Sequence, residues 1–417
     1  MAEKNEEDKV EDLSSYGIHF CLISRESAPN FLPIICYRPK KVLMFVSESM
    51  HEKAQAIRDA VNNAAPEVKF LDDVPVGDGW DGNICYQCVS KALYEHLDED
   101  PIVNITGGTK IMAFAALMAV RDIGLSAFYM KTDRRRPSEP SEIMIFPGGD
   151  MSKKKVSHLS RYTLKIDDYL SAYGYTVTPR KSDNSQLPRE RRRLAEYLLQ
   201  ADGFGKLAVV AMNGMAQEAE DRYDRLKKHV DRKGKAPEVL TDLAEKRRSI
   251  QDGAVLAAFD KLCKLCEEIG LLGIYGNTVR FPSLEHCNYV KGGWLEEYVY
   301  DTLDTMGLKP VMNLKIKKDG EREIDVAFMH KEKLYVLECK SSNLTRKTKQ
   351  NHSIIYQIKT LKDLGGIETV LVLVSYQNVN IEIKTSAGEI KIFQGGQVND
   401  LKDHIRELIS SSNTNAA

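Results

Sequence analysis

Along the first 150 residues, short apolar runs alternate with stretches whose apolar positions recur every three or four residues, the signatures of buried strands and amphipathic helices. The runs Ile18 to Ser24, Val42 to Ser47, Val68 to Leu71, Ile102 to Ile105, Ala127 to Lys131 and Ile143 to Phe146 predict strands, with helices between them. Such alternation predicts an α/β unit with a parallel, doubly wound sheet, whose ligands bind beyond the carboxyl ends of its strands. Residues 189 to 270 follow a different pattern: charge-rich and helical, opening at Arg189-Glu-Arg-Arg-Arg193 and including Lys227-Lys228 and Lys246-Arg247-Arg248. Leu271 to Phe281, with a Tyr-Gly-Asn-Thr turn between short strands, predicts a winged-helix-like end. The charges of this middle region alternate in sign and form no one-sided stripe, which favours a connector carrying a signal over a nucleic-acid-reading unit.

The last third starts with a helix whose apolar positions are Leu295, Val299, Leu303 and Met306. A strand over Val311 to Ile316 leads to the Asp319-Gly320 pair, a hairpin signal that sets the next strand antiparallel. Two strands follow, Glu-Ile-Asp325-Val-Ala-Phe and Leu-Tyr-Val-Leu-Glu338-Cys-Lys340. Side chains alternate across a strand, so Glu338 and Lys340 share a face and Cys339 takes the other. Near-continuous apolar sequence around them predicts a central strand, where charges persist only when paired or bound to metal. Paired carboxylates suit hard cations such as Mg²⁺ or Mn²⁺. On the preceding helix, Glu296 falls beside the apolar stripe and Glu297 on the opposite, solvent side. The organisation expected is therefore 13–150, 151–285 and 286–410, with Ser410 to Ala417 a disordered tail.

This helix and its strands resemble the core of the PD-(D/E)xK nuclease superfamily, with Ile324 where the proline of that name stands. The resemblance implies that Asp325 and Glu338 are the two acids, Lys340 the lysine and Glu296 the helix-borne glutamate. It also implies metal ligation by Asp325, Glu338, the carbonyl of Cys339 and Glu296, holding one or two ions. Gln357, on a helix expected from Ser353 to Leu364, resembles the polar residue that some members place against the site. Between Lys340 and Lys362 the chain has no acidic residue but carries Arg346, Lys347, Lys349 and Lys359, a bias that suits a phosphate backbone as well as a solvated face.

Near the other end, Asn104-Ile-Thr106-Gly107-Gly108-Thr109-Lys110-Ile-Met112 runs from a strand through a glycine turn into a helix. Such a turn lets backbone N–H groups approach an anion, and the helix N-terminus adds the positive end of its dipole. The spacing is neither a P-loop nor a dinucleotide fingerprint. It resembles the ligand signature of CRISPR-associated Rossmann-fold (CARF) domains, which sense cyclic oligoadenylates. Asn104, Thr106, Gly107, Gly108, Thr109 and Lys110, with Ser24, Ser47 and Ser49 at other strand ends, are then the ligand-binding residues.

With both ends on one polypeptide, the chain resembles the CARF nucleases of type III CRISPR defence, activated by cyclic tetra-adenylate. That implies a homodimer, since a two-fold ligand suits a C₂ interface, and an RNA or DNA substrate, or both. Two alternatives remain open at this point: a cyclic-oligoadenylate-responsive transcriptional regulator, and a ring nuclease that degrades its activator. Composition is compatible. At 417 residues there is room for two or three domains, and 42% apolar content permits real cores. A net charge of −1 excludes wholesale coating by nucleic acid, so contact with it must be a local groove. No stretch approaches the ~18 apolar residues of a membrane span, and the acidic start is no signal peptide, so a cytoplasmic protein without membrane contact is expected. Cys85-x-x-Cys88 and Cys263-x-x-Cys266 have no matching pair at zinc-finger distance, which points to core thiols.

Overall fold

The computed structural model describes residues 13–132, 139, 141–153, 155–159, 164–178, 189–228, 237–341, 358–366, 369–380 and 390–410. The amino-terminal strands form where the apolar runs lie: β1 (Ile18–Leu22), β2 (Lys41–Val46), β3 (Lys69–Phe70), β4 (Val74–Pro75), β5 (Pro101–Asn104), β6 (Ser126–Lys131), β7 (Glu142–Phe146) and β8 (Lys155–His158). Their order is β3-β2-β1-β5-β6-β7-β8, with β4 beside β2. Helices α1 (Ala28–Tyr37) and α2 (His51–Ala64) bury one face, while α3 (Gly82–Glu95) and α4 (Lys110–Ile123) bury the other. The sheet is mixed rather than parallel throughout, because β7 runs antiparallel to β6 and β8 to β7. Only ten residues separate β6 from β7, too few for the helical crossover that a parallel pair needs. The sheet also continues past residue 150.

Helix α5 (Ile166–Ala172) packs on α2, and β9 (Thr176–Val177) then leaves for another sheet. The middle segment contains α6 (Arg189–Leu199), α7 (Gly203–Lys227), α8 (Leu243–Ser249) and α9 (Gly253–Glu268). Its strands β10 (Val239–Asp242), β11 (Gly273–Tyr275) and β12 (Thr278–Phe281) pair antiparallel in the order β10-β12-β11. A short α10 (Leu284–Asn288) continues through a π-helical turn, Tyr289–Gly293, into α11 (Trp294–Thr305). The second large sheet contains β13 (Val311–Lys317), β14 (Glu321–His330), β15 (Lys333–Lys340), β16 (Thr369–Ser375) and β17 (Lys391–Gln394), with α12 (Leu401–Ile409) after them. Its order is β17-β16-β15-β14-β13-β9. The hairpin at Asp319-Gly320 forms as the sequence suggests, with Lys317 opposite Glu321.

The middle segment is no free-standing connector. Leu198, Met212 and Phe259 share one apolar core with Trp294, Leu295 and Leu337, so α7 is built onto the second sheet. A further core joins α1, α2 and α5 to Leu314, Val336 and Leu364, which ties the amino-terminal unit to the far face of that sheet.

Candidate active site and ligand loop

Antiparallel register pairs Val326 with Leu337, and one step further it brings Asp325 beside Glu338. Lys340 Nζ lies 2.6 Å from Glu338 Oε1 and 3.6 Å from Asp325 Oδ2. Asp325 Oδ2 also accepts from the backbone N–H of Cys339 at 2.7 Å, which fixes its orientation. Leu295, Val299 and Leu303 bury the inner stripe of α11, and Glu296 beside them faces the same acids. Burial, then the charge of Asp325, push the Glu296 carboxyl up to about 7 against the pull of Lys340. Burial and Asp325 raise Glu338 in the same way. Burial alone lowers the Lys340 ammonium, but Asp325 and Glu338 outweigh it and hold the group charged.

Glu296 and Lys340 line a cleft of about 1300 Å³, with Asp325 and Glu338 held against Lys340. Cys339, Asn313, Glu323 and, from α7, Asn213 also line it. Three acids facing one ammonium leave an excess of negative charge that a hard, oxygen-ligated divalent cation would neutralise; burial first and this repulsion second raise the carboxyls of Glu296 and Glu338. The donor chemistry thus fits such an ion. As placed, with Lys340 between the carboxylates, no three His, Cys, Asp or Glu side chains among the described residues form a ligating group. Gln357, Arg346, Lys347 and Lys349 lie outside the described residues.

Glu297 departs from expectation. Far from pointing to solvent, its side chain is 15% exposed and its Oε1 accepts from Arg191 of α6 at 2.8 Å. Burial raises its carboxyl and Arg191 opposes the rise. A helical wheel measures angles only against the helix's own stripe; α6, about a hundred residues earlier, covers the opposite flank. Sequence reasoning also missed Asn313, which holds a left-handed backbone (φ 52°) in the middle of β13, between the pairs Met312–Val326 and Leu314–Ile324. Nothing but a non-β residue amid β13 hints at it.

The glycine loop sits at the carboxyl end of β5 and opens α4. Thr109 caps the helix, its Oγ1 accepting from Met112 N–H at 3.1 Å while donating to the Gly79 carbonyl at 2.6 Å. Thr106 Oγ1 accepts from Met130 N–H. Asn104 is fully buried: its Oδ1 accepts from Thr106 N–H, and its Nδ2 donates to Pro29 O and Asn30 Oδ1. It shapes the loop from beneath. A Cβ on Gly107 would lie 2.0 Å from the Leu22 carbonyl, so only glycine fits there. Gly108 has φ 73°, in the left-handed region that glycine adopts freely. Ser47 is nearly buried at the end of β2, Ser24 is half-buried with its Oγ bonded to the Glu26 carbonyl, and Ser49 and Lys110 are exposed. Lys110, at the first turn of α4, makes no ion pair among the described residues.

Residues 18–169 match the family described as the Card1 CARF domain, and residues 284–411 match the Card1-like endonuclease domain. Among solved structures, Can2 from Sulfobacillus thermosulfidooxidans, in complex with cyclic tetra-adenylate, is 21% identical with a TM-score of 0.66, over 94% of this chain and 99% of that one. Protein VC1899 from Vibrio cholerae is 15% identical with a TM-score of 0.73, over 95% and 99%. A type III CRISPR defence DNA nuclease activated by cyclic oligoadenylate is 14% identical with a TM-score of 0.51, over 91% of this chain and 48% of that one. No curated protein matches by sequence.

Proposed function

The chain belongs with the CARF nucleases of type III CRISPR systems, joining a Card1-type CARF domain to a Card1-like endonuclease domain, and from this premise we propose that it is a divalent-metal-dependent endonuclease switched on by cyclic tetra-adenylate. The observation that carries the reading is the convergence of Asp325 and Glu338 on Lys340, with Glu296 facing them, at a cleft that Glu296 and Lys340 line, in a chain whose other end presents the glycine loop at a helix N-terminus. Asp325, Glu338, the carbonyl of Cys339 and Glu296 would hold Mg²⁺ or Mn²⁺, with Gln357 as a supporting polar group. When bound, such an ion polarises the scissile phosphate and lowers the pKa of water. Lys340, kept charged by its acidic neighbours, orients the attacking water and stabilises the charge that develops on phosphate. The substrate is RNA, DNA or both, in the cytoplasm.

At the sensor end, Lys110, the Thr106 to Thr109 backbone and the serines Ser24, Ser47 and Ser49 take the ring's phosphates and hydroxyls. Ring symmetry suggests a homodimer. In support of it, Trp80, Ile84, Phe114 and Met118 on and beside α3 and α4 are 67%, 44%, 65% and 60% exposed. Apolar exposure of that extent marks an interaction site. The test is cleavage of labelled RNA and DNA with Mn²⁺, with and without cyclic tetra-adenylate. Cleavage that depends on both additions supports the reading, and none under any combination refutes it.

A further inference from the structure

The charged side chains of the cleft are largely engaged with one another. Arg191 pairs with Glu297, Lys291 with Glu220, and Lys340 with Glu338 and Asp325. What α7 offers instead is neutral. Gln217 donates along its own helix to Asp221 at 2.9 Å. Asn213 crosses to the catalytic strand, its Nδ2 donating to Ser341 Oγ at 3.2 Å, while Ser341 donates its own proton to the Lys291 carbonyl at 2.8 Å. With that proton committed, Ser341 Oγ can only accept, and this fixes the Asn213 amide with its oxygen turned away. Asn213 Oδ1 is then a buried acceptor with no hydrogen-bond partner among the described residues. Such an atom costs about 1–3 kcal/mol unless a donor reaches it. Asn213 itself is half-buried and lines the cleft, so a ligand entering there can bring that donor once the amide turns its oxygen out of cover.

Phosphates and sugar ring oxygens of a polynucleotide only accept; its donors are base N–H and NH₂ groups and, in RNA, the 2′-hydroxyl. Resting on the nuclease reading above, we infer that Asn213 is a specificity-determining residue, whose Oδ1 accepts from the amino group of a base lodged beside the cut. Adenine, cytosine and guanine present such a group; uracil and thymine have no amino group, and their one donor, the ring N3–H, is flanked by two carbonyls that an acceptor repels. Ser341 follows Lys340 directly, so the acceptor is anchored next to the reacting phosphate rather than at a remote subsite. The wall is held firmly, with Cys287 Sγ donating to the Ala216 carbonyl and Glu220 paired to Lys291. A rigid support is what base discrimination needs.

The experiment cuts random-sequence single-stranded RNA and DNA pools with the full chain, Mn²⁺ and cyclic tetra-adenylate, and sequences the ends. The parent enriches an amino-bearing base at one position flanking the cut in both pools. Asn213→Ala removes that enrichment and raises KM roughly tenfold, a loss of about 1.4 kcal/mol, with kcat changed far less. Ser341→Ala breaks the clasp but keeps the acceptor, so it slows cleavage and leaves the enrichment in place. A parent profile without base bias, a bias that survives Asn213→Ala, or an effect confined to RNA and blind to the base overturns the inference. A parent that cuts neither pool refutes the nuclease reading instead.

Discussion

Glu296 holds its proton to higher pH than an ordinary glutamate, because burial and the neighbouring Asp325 push its carboxyl up to about 7. An unfolded chain releases that proton near pH 4.3. Between these values the folded state binds more protons than the unfolded one, so without divalent ions stability falls as pH rises through this window, by on the order of 3 kcal/mol. Denaturant melts in chelator should therefore show a higher midpoint at pH 5 than at pH 8, and Glu296→Gln should flatten the difference. A variant with the parent's pH dependence would disprove the assignment. Glu338→Ala or Asp325→Asn should abolish cleavage and leave cyclic tetra-adenylate binding intact, since these acids lie in the other unit; undiminished cleavage by either removes them from the chemistry. The alternation of strand side chains was enough to put Glu338 and Lys340 on one face, and periodicity enough to turn Glu296 toward them. The burial of Glu297 was not legible, because it depends on Arg191 reaching over from α6, a contact no local pattern encodes.

Strands and hairpin were legible in the sequence wherever one physical signal acted alone. Apolar runs located β1, β2, β5 and β6, and Asp319-Gly320 located the β13–β14 turn. The direction of β7 was misjudged because alternation implies parallel pairing only when a helix fills the crossover, and the β6–β7 connection has no room for one. The glycine turn was legible at the start of α4, while the burial of Asn104 beneath it was not, since strand-end polarity looks the same in either direction. Lys110 is exposed at the first turn of α4, where its charge adds to the helix dipole. Losing one charge-assisted contact costs about 1.5–3 kcal/mol, so Lys110→Ala should weaken cyclic tetra-adenylate binding by roughly ten- to a hundredfold. Calorimetry on the two proteins measures this, and cleavage by the variant should recover at saturating ligand. Equal affinity would move the pocket away from this loop.

Across the whole molecule, a continuous set of contacts runs from the ligand loop to the nuclease sheet. Gly107 rests on the Leu22 carbonyl, which also accepts from Asn30 at 2.9 Å, and Asn30 is bonded to Asn104. A few residues earlier in the chain, Tyr173 Oη accepts from Ala28 N–H at 3.3 Å and lies 3.5 Å from Glu26 Oε2. Tyr169 donates to the Gly365 carbonyl at 2.8 Å, and a Cβ on Gly366 (φ 57°) would fall 1.9 Å from Glu26 Oε2 and 2.8 Å from Tyr173 Oη. Gly366 lies between Leu364 of the shared core and β16, so this contact joins the sensor's first loop to the sheet that holds the acids. Sequence gave no hint of it, since two units read separately do not disclose how they dock. Adding a methyl at Gly366 displaces the flexible Glu26 carboxylate rather than backbone, so Gly366→Ala should fold, losing about 1–3 kcal/mol from overpacking and strain. Because an effector acts only through a difference between states that both sites share, the variant should show a smaller ratio of cleavage rates with and without saturating cyclic tetra-adenylate. Glu26→Ala should reduce the same ratio, and the double variant should fall short of the sum of the two, as contacting residues do. Rates are read on one labelled strand at fixed Mn²⁺. If each variant keeps the parent's ratio, or if the two effects simply add, the ligand's signal reaches the acids by another route.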